Sequence, residues 1–151
     1  MKEKLSEKIR EFVNEITTDK RWNIKNQTLF DTLGLTLSGY ACGIGRHFWF
    51  LDDEIISEVL LEELTNIGGG EKYVKSLIDF ALSTFEIETK NYQSELVGIG
   101  YFRFSDRNFE KLKESIFENA MKIEEQLKTP KTEVKTNNLR ENNKKWWQFW
   151  K

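Results

Sequence analysis

Apolar side chains recur along this chain at the 3.6-residue spacing of an amphipathic α-helix, and this pattern constrains the fold more than any other feature. The first apolar stripe covers residues 5–16, and two more cover residues 55–67 and 73–85. The clearest stripe covers residues 109–127. Each stripe predicts a surface helix with one buried face, so we expect an all-α, bundle-like single domain of about five helices.

Capping residues and glycines predict where helices begin and end. The sequence 52–54, Asp-Asp-Glu, supplies an N-cap and first-turn carboxylates that interact favourably with a helix N-terminus. The glycine triplet 68–70 predicts a tight turn between antiparallel helices, because glycine adopts left-handed dihedral angles at little cost. Thr28 with Asp31 fits a capping box, which places the start of another helix at Leu29.

The most apolar segment, 29–51, is predicted to form the buried centre of the domain. It carries four glycines, and two of them, Gly39 and Gly43, form the small-xxx-small pattern that lets helices approach closely. Its uninterrupted apolar part is short for a bilayer core of roughly 30 Å, so a membrane span is not expected. The first part of the segment fits both a strand and a helix, and we expect a helix.

A second ambiguous segment, 96–104, is apolar and aromatic. Periodicity cannot separate a strand from a helix in a short apolar run, so we allow a short β-element there. Ser105 or Asp106 is expected to cap the helix that follows. Residues 43–45 and 98–100 both read Gly-Ile-Gly ahead of an aromatic run. This similarity is either chance or the trace of a duplicated unit that hides its two aromatic runs against each other.

The periodic pattern stops after Leu127, and the sign of the charge changes there. Residues 1–127 hold 16 Lys and Arg against 23 Asp and Glu, a formal charge of −7, whereas residues 128–151 hold 7 against 2, a charge of +5. Segment 128–143 has too few large apolar side chains to offset its ordering entropy. We therefore predict an acidic helical domain, 1–127, followed by a disordered arm made of a flexible linker, 128–143, and a docking tail, 144–151.

The tail concentrates aromatic and cationic side chains in eight residues, including three of the five tryptophans of the chain. Tryptophan favours the headgroup region of a bilayer, and each lysine adds roughly 1 kcal/mol of attraction to an anionic leaflet. The tail has three open destinations: an anionic membrane surface, pockets on a partner protein, and the acidic domain of the chain itself. Its predicted docking residues are Lys144, Lys145, Trp146, Trp147, Phe149, Trp150 and Lys151.

Charge and cysteine content limit the expected partners and location. The acidic domain repels phosphate, so nucleic acid is not an expected partner of the domain, and only the basic arm would contact it. The single cysteine, Cys42, excludes an internal disulfide, and the charged start of the chain predicts no signal peptide. We therefore expect a cytoplasmic protein, peripheral at the inner membrane face if the tail binds lipid.

No group of residues in the sequence has the spacing that is typical of a catalytic or metal site. We therefore expect no catalytic residue, cofactor or metal ion. Cys42 and His47 are the only thiol and the only imidazole, and five positions apart they would not share a helical face. Arg46 and Arg103 follow the two Gly-Ile-Gly segments, inside apolar runs where a charge needs a partner. A ligand or partner pocket, if one exists, is expected at Arg46, His47, Tyr101 and Arg103.

The sequence favours a non-catalytic protein-binding domain of the immunity, inhibitor or adaptor type, held at a membrane or at a second partner by its tail. A protein partner is expected from the small size, the acidic surface and the lack of a catalytic constellation. Two alternatives stay open: a ligand-binding or enzymatic domain that uses the pocket residues above, and nucleic-acid contact through the basic arm.

Overall fold

The computed structural model of the chain describes residues 1–86 and 91–128, except for the side chain of Lys128. All the regular secondary structure in these residues is helical, so the predicted all-α class is confirmed, with six helices in place of about five. The helices are α1 (Lys2–Thr17), α2 (Gln27–Phe48), α3 (Asp53–Asn66), α4 (Glu71–Ser83), α5 (Tyr92–Phe102) and α6 (Glu110–Lys128).

Helix α2 is the centre of the domain, and each of the other five helices contacts it. Its residues are buried continuously over 29–45, as expected for the most apolar segment. Asn26 caps the helix, because its side chain accepts a hydrogen bond from the Leu29 amide. The helix therefore begins at Gln27, two residues before the predicted start.

Asp31 does not belong to a capping box, contrary to the prediction. Its buried carboxylate accepts hydrogen bonds from the Tyr73 hydroxyl of α4 and from the side-chain amide of Gln27. Burial raises the pKa of Asp31, although these two hydrogen bonds act in the opposite direction. The predicted box fails because Asn26, two residues before Thr28, already caps α2.

Residues 92–102 form helix α5, so the predicted β-element at 96–104 is wrong. A capping box starts the helix: the Asn91 side chain accepts from the Ser94 amide, and the Ser94 hydroxyl accepts from the Asn91 amide. The segment lacks polar and apolar alternation because α2 and the second core cluster bury much of its surface. Its glycines, which resemble strand or turn signals in the sequence, serve helix packing instead.

Helices α2 and α5 pack closely and run in the same direction. A Cβ atom at Gly39 would lie 1.9 Å from the Val97 carbonyl oxygen, and one at Gly100 would lie equally close to an α2 carbonyl oxygen. Four residues further along, Gly43 lies against Phe104. Contacts therefore advance together along both helices, and their C-terminal ends meet at one end of the domain.

The connection between α3 and α4 follows the sequence prediction. Asp52 caps α3 by accepting a hydrogen bond from the Ile55 amide. At the other end of α3, Gly68 adopts a φ of +113°, which a side chain would resist. The Gly69 amide donates to the Leu64 carbonyl and closes the turn.

The core has two parts. Apolar residues of α1, α2, α3, α4 and α6 form the main cluster, and Trp22 packs against its edge as a partly buried lid. A smaller cluster joins α5 to the domain through Leu35, Ala81, Leu96, Val97 and Ile123. Among the described helices, none combines the length and the apolar character that crossing a bilayer requires.

Candidate functional site

The C-terminal ends of α2 and α5 carry a connected group of aromatic side chains. Ring contacts run from Trp49 through Phe48, Phe104 and Tyr101 to Phe102, with centroids 5.5–6.4 Å apart. Edge-to-face and tilted geometries of this kind are the favoured ones for aromatic pairs. We call this surface the aromatic end; it comprises His47, Phe48, Trp49, Phe85, Tyr101, Phe102 and Phe104, together with Phe50, which follows Trp49 in the chain.

Three phenylalanines of the aromatic end face solvent. Phe48 is 52% exposed, Phe50 87% and Phe102 80%. Phe50 also has a φ of +51°, a left-handed conformation that is uncommon for a bulky residue. Grouped apolar exposure on a small domain marks an interaction site more often than scattered exposure does.

His47 links the two helix ends at this surface. Its Nε2 lies 2.7 Å from the Tyr101 hydroxyl oxygen, and the tautomer decides which group donates. The imidazole also stacks on the Phe104 ring, with centroids 4.8 Å apart and planes 14° apart. Both partners of His47 belong to α5 or to the residues after it, so the side chain fastens α2 to that segment.

Both arginines of the predicted pocket form ion pairs within the chain. Arg46 Nη2 lies 2.8 Å from Asp53 Oδ1, and the guanidinium carbon lies 4.8 Å from the centroid of the Phe85 ring. Arg103 Nη1 lies 3.3 Å from Asp106 Oδ2. Cations at the ends of α2 and α5 are also stabilised by the negative ends of the helix dipoles.

The four predicted pocket residues share one end of the domain but differ in surroundings. His47 and Tyr101 are in contact, and Arg46 lies near them through Phe85, whose ring centroid is 5.1 Å from that of Tyr101. Arg103 instead borders a groove between α5 and α6 that includes none of the other three. A ligand or enzymatic pocket at these residues stays a prediction.

Cys42 lies in the core and away from the surface. It is fully buried, and burial raises the pKa of its thiol to about 12. Because the thiolate is the reactive form, Cys42 is a poor nucleophile at neutral pH. Within the ranges 1–86 and 91–128, no three His, Cys, Asp or Glu side chains gather as metal ligands.

The exposed phenylalanines are the feature that sequence reasoning missed. Both aromatic runs were visible after the Gly-Ile-Gly segments, but the duplication hypothesis expected the runs to hide each other. Phe104 does pack against Phe48 and His47, whereas Phe48, Phe50 and Phe102 keep large exposed fractions. The predicted tail, 144–151, and residues 129–143 of the predicted linker lie outside the described residues, whereas Lys128 is the last residue of α6.

Comparison with protein-family models, with curated proteins and with solved structures finds no match for this chain. Family resemblance therefore adds nothing to the geometry of the aromatic end. What this surface does has to be inferred from its own side chains.

Proposed function

We propose that this protein is a non-catalytic protein-binding domain and that the aromatic end is its binding surface. The observation that carries the proposal is the exposure of Phe48, Phe50 and Phe102 where α2 and α5 finish together. Exposed apolar area forgoes roughly 25 cal/mol per Å² that burial would contribute. A partner that covers the three rings recovers this free energy.

The backbone at Phe50 supports the same proposal. Left-handed dihedral angles cost a residue with a side chain roughly 1–2 kcal/mol. Such strain persists where the surrounding structure holds it, and binding sites are common places for it. Here the Leu51 amide donates to the Gly45 carbonyl, which closes the loop after α2 and leaves Phe50 exposed.

The charged neighbours of the rings suit a protein partner better than an anionic membrane. Arg46 and Arg103 lie beside the aromatic side chains, and interface hot spots combine aromatic residues with arginine. The acidic sequence 52–54 begins two residues after Phe50. Charges of both signs around an apolar centre are typical of a protein interface, whereas an anionic leaflet would repel 52–54.

The polar groups at this end favour binding over catalysis. His47 bonds to Tyr101, Arg46 bonds to Asp53, and the thiol of Cys42 is buried elsewhere. These contacts leave the described histidine and thiol without the nucleophile and base geometry that acyl or phosphoryl transfer needs. The immunity, inhibitor and adaptor classes fit a small acidic domain of this kind, with the basic tail as a predicted second contact.

The test removes two exposed rings from the full chain, by Phe50→Ser together with Phe102→Ser. Met121→Ser is the matched control, because Met121 is 57% exposed on α6. A photo-cross-linking residue in place of Phe48 reports contacts in the native cell. We expect one protein to be cross-linked in the parent and in the control, and lost in the double variant. With that protein purified, the Kd should rise about 30-fold or more, as for the loss of a hot spot of about 2 kcal/mol.

Two results would overturn the proposal. One is a cross-linking pattern that the double variant leaves unchanged. The other is binding of the parent to anionic lipid vesicles that is lost in the double variant, because the exposed rings would then serve a membrane.

A further inference from the structure

A long, open groove lies between α5 and α6 and meets the aromatic end only at Phe102. Its volume is about 1120 Å³, larger than the roughly 300–1,000 Å³ of small-molecule sites. Residues 110–122 of α6 line one wall, and twelve helical steps correspond to about 18 Å. These dimensions fit a peptide segment better than a small ligand.

Both apolar and charged side chains line the groove. Ile99 and the exposed Phe102 supply apolar surface, and a Cβ atom at Gly98 would meet no atom within 4 Å. Glu95 and Glu118 are exposed lining residues and form no salt bridge with another described residue. The groove therefore offers apolar area to rings and carboxylates to cations.

We infer that this groove binds the tail of the same chain, residues 144–151. The tail has the matching chemistry, since its eight positions hold four aromatic residues flanked by three lysines. The aromatic rings would cover Ile99 and Phe102, and the lysines would face Glu95 and Glu118. Docking in the groove does not depend on the function proposed above, although the two surfaces share Phe102, so the docked tail and a partner compete for that ring.

The length of the chain after α6 permits this contact. Fifteen residues separate Lys128 from Lys144, and they span at most about 50 Å. The lining residues of α6 lie 6 to 18 positions before Lys128, which is about 9 to 27 Å along the helix. The tail therefore reaches every part of the groove, at an effective concentration in the millimolar range.

Charge favours the contact at the scale of the whole domain. The walls of the groove are nearly balanced, because four glutamates face two lysines and one arginine. Residues 1–127 carry a formal charge of −7 and residues 128–151 carry +5. The attraction between the acidic domain and the basic arm brings the tail close to the domain. The apolar lining residues of the groove then favour binding there over binding at other acidic surfaces.

A spin label at the end of the full chain tests the inference. Cys42 is fully buried, so Lys151→Cys supplies the one accessible thiol for a nitroxide. We expect the amide NMR signals of Gly98, Ile99 and Ser115 to lose intensity relative to the reduced label. The signals of α1 and α3, which do not line the groove, should keep theirs.

Variants at Gly98 provide the matched comparison. Gly98→Trp fills the open space and should restore the lost intensities, because the ring occupies the place of the tail. Gly98→Ala adds one methyl group and should leave the intensity losses in place. A charge reversal, Glu95→Lys with Glu118→Lys, should weaken the losses more than Glu7→Lys with Glu11→Lys, which changes the net charge equally on α1.

Each other outcome contradicts self-docking in the groove. Losses that persist in Gly98→Trp would place the tail elsewhere on the domain. Losses in an isotope-labelled chain mixed with an unlabelled, spin-labelled chain would identify a second copy as the occupant. No loss at any amide would show that the tail does not dock, whether or not the aromatic end binds a protein partner.

Discussion

Tyr40 is fully buried in the main core, and its hydroxyl has no hydrogen-bond partner among the described residues. Its ring packs edge-on against Phe12 and Phe109, with centroids 5.1 and 5.9 Å away. Burial raises the pKa of Tyr40 above its ordinary value. A buried hydroxyl without a partner costs the folded state roughly 1–3 kcal/mol. Only the packing of the Tyr40 ring therefore stabilises the core, and its hydroxyl destabilises it.

We predict that Tyr40→Phe raises the free energy of unfolding by about 1 kcal/mol, because it removes the unpaired hydroxyl and keeps the ring. Urea denaturation followed by circular dichroism measures the change. Tyr92→Phe is the control, since the Tyr92 hydroxyl donates to the Asn119 carbonyl and its removal should lower stability. A loss of stability in Tyr40→Phe would mean that its hydroxyl has a partner.

Phe50 is a second residue that destabilises the folded state locally, through its left-handed backbone conformation. We predict that Phe50→Gly raises the free energy of unfolding by roughly 0.5–1 kcal/mol, because relief of the left-handed strain exceeds the entropy cost of glycine. Phe102→Ala, at an equally exposed ring in helical geometry, should give no such gain. Thermal denaturation of the two variants and the parent measures the difference, and equal midpoints would show that Phe50 is unstrained.

We predict that Asp31 and Asp19 affect the pH dependence of the free energy of unfolding with opposite signs. Burial raises the pKa of Asp31. The Asp31 carboxyl therefore stays protonated in the folded state at pH values where it is ionised in the unfolded state. Because of this difference, Asp31 lowers the free energy of unfolding as pH rises above about 4. Hydrogen bonds from Arg21 lower the pKa of Asp19, so Asp19 adds stability that is lost as pH falls through the same region.

Relative to the parent, Asp31→Asn should therefore gain stability between pH 4 and pH 7, and Asp19→Asn should lose it. Both asparagines keep the size and the acceptor oxygen of the original side chain. Urea midpoints at several pH values test both signs. Parallel curves for Asp31→Asn and the parent would rule out a raised pKa at Asp31.

At the scale of the helix, α5 contains glycines with opposite roles. Gly98 faces the open groove, whereas a Cβ atom at Gly100 would lie 1.9 Å from the Thr36 carbonyl oxygen. Glycine in a helix interior is destabilising by roughly 0.5–1 kcal/mol relative to alanine. A glycine-to-alanine substitution at Gly98 therefore tests helix propensity, and the same substitution at Gly100 tests the packing of α5 on α2.

We predict that Gly98→Ala raises the free energy of unfolding by about 0.5–1 kcal/mol, and that Gly100→Ala lowers it by about 3 kcal/mol or more because α2 and α5 must separate. Chemical denaturation measures both. Equal effects of the two variants would mean that α5 does not pack on α2 through Gly100.

The helices that the sequence predicts well are those with one solvent-exposed face and one buried face. Helices α1, α3, α4 and α6 alternate polar and apolar residues at helical spacing, so their stripes are readable. Helix α5 was missed because its segment is apolar on most sides and interrupted by glycine, and only its contact with α2 explains both features. For the same reason Arg46 and Arg103 could be singled out from sequence, but not their partners Asp53 and Asp106.

At the scale of the whole molecule, the core that the structure describes is built from residues of the predicted acidic domain. Residues of α1 to α6 supply every member of the two described core clusters. The arm would add only the free energy of a weak intramolecular contact, which is a few tenths of a kcal/mol when affinity and effective concentration are both millimolar.

We predict that a chain ending at Lys128 keeps its helical circular dichroism and one cooperative unfolding transition. Its free energy of unfolding should lie within about 1 kcal/mol of that of the full chain, with an unchanged m-value. Guanidinium titrations of the two chains measure both quantities. Loss of the cooperative transition would mean that the arm belongs to the folded core.

The parallel course of α2 and α5 has an electrostatic consequence for any partner. Each helix presents the equivalent of about half a negative charge at its C-terminus, and here two such termini adjoin around exposed phenyl rings. Arg46 and Arg103 lie at these two ends and offset part of this negative charge, although each also pairs with an aspartate. We therefore expect a partner that binds at this end to place N–H donors, such as those of arginine, around its apolar contact surface.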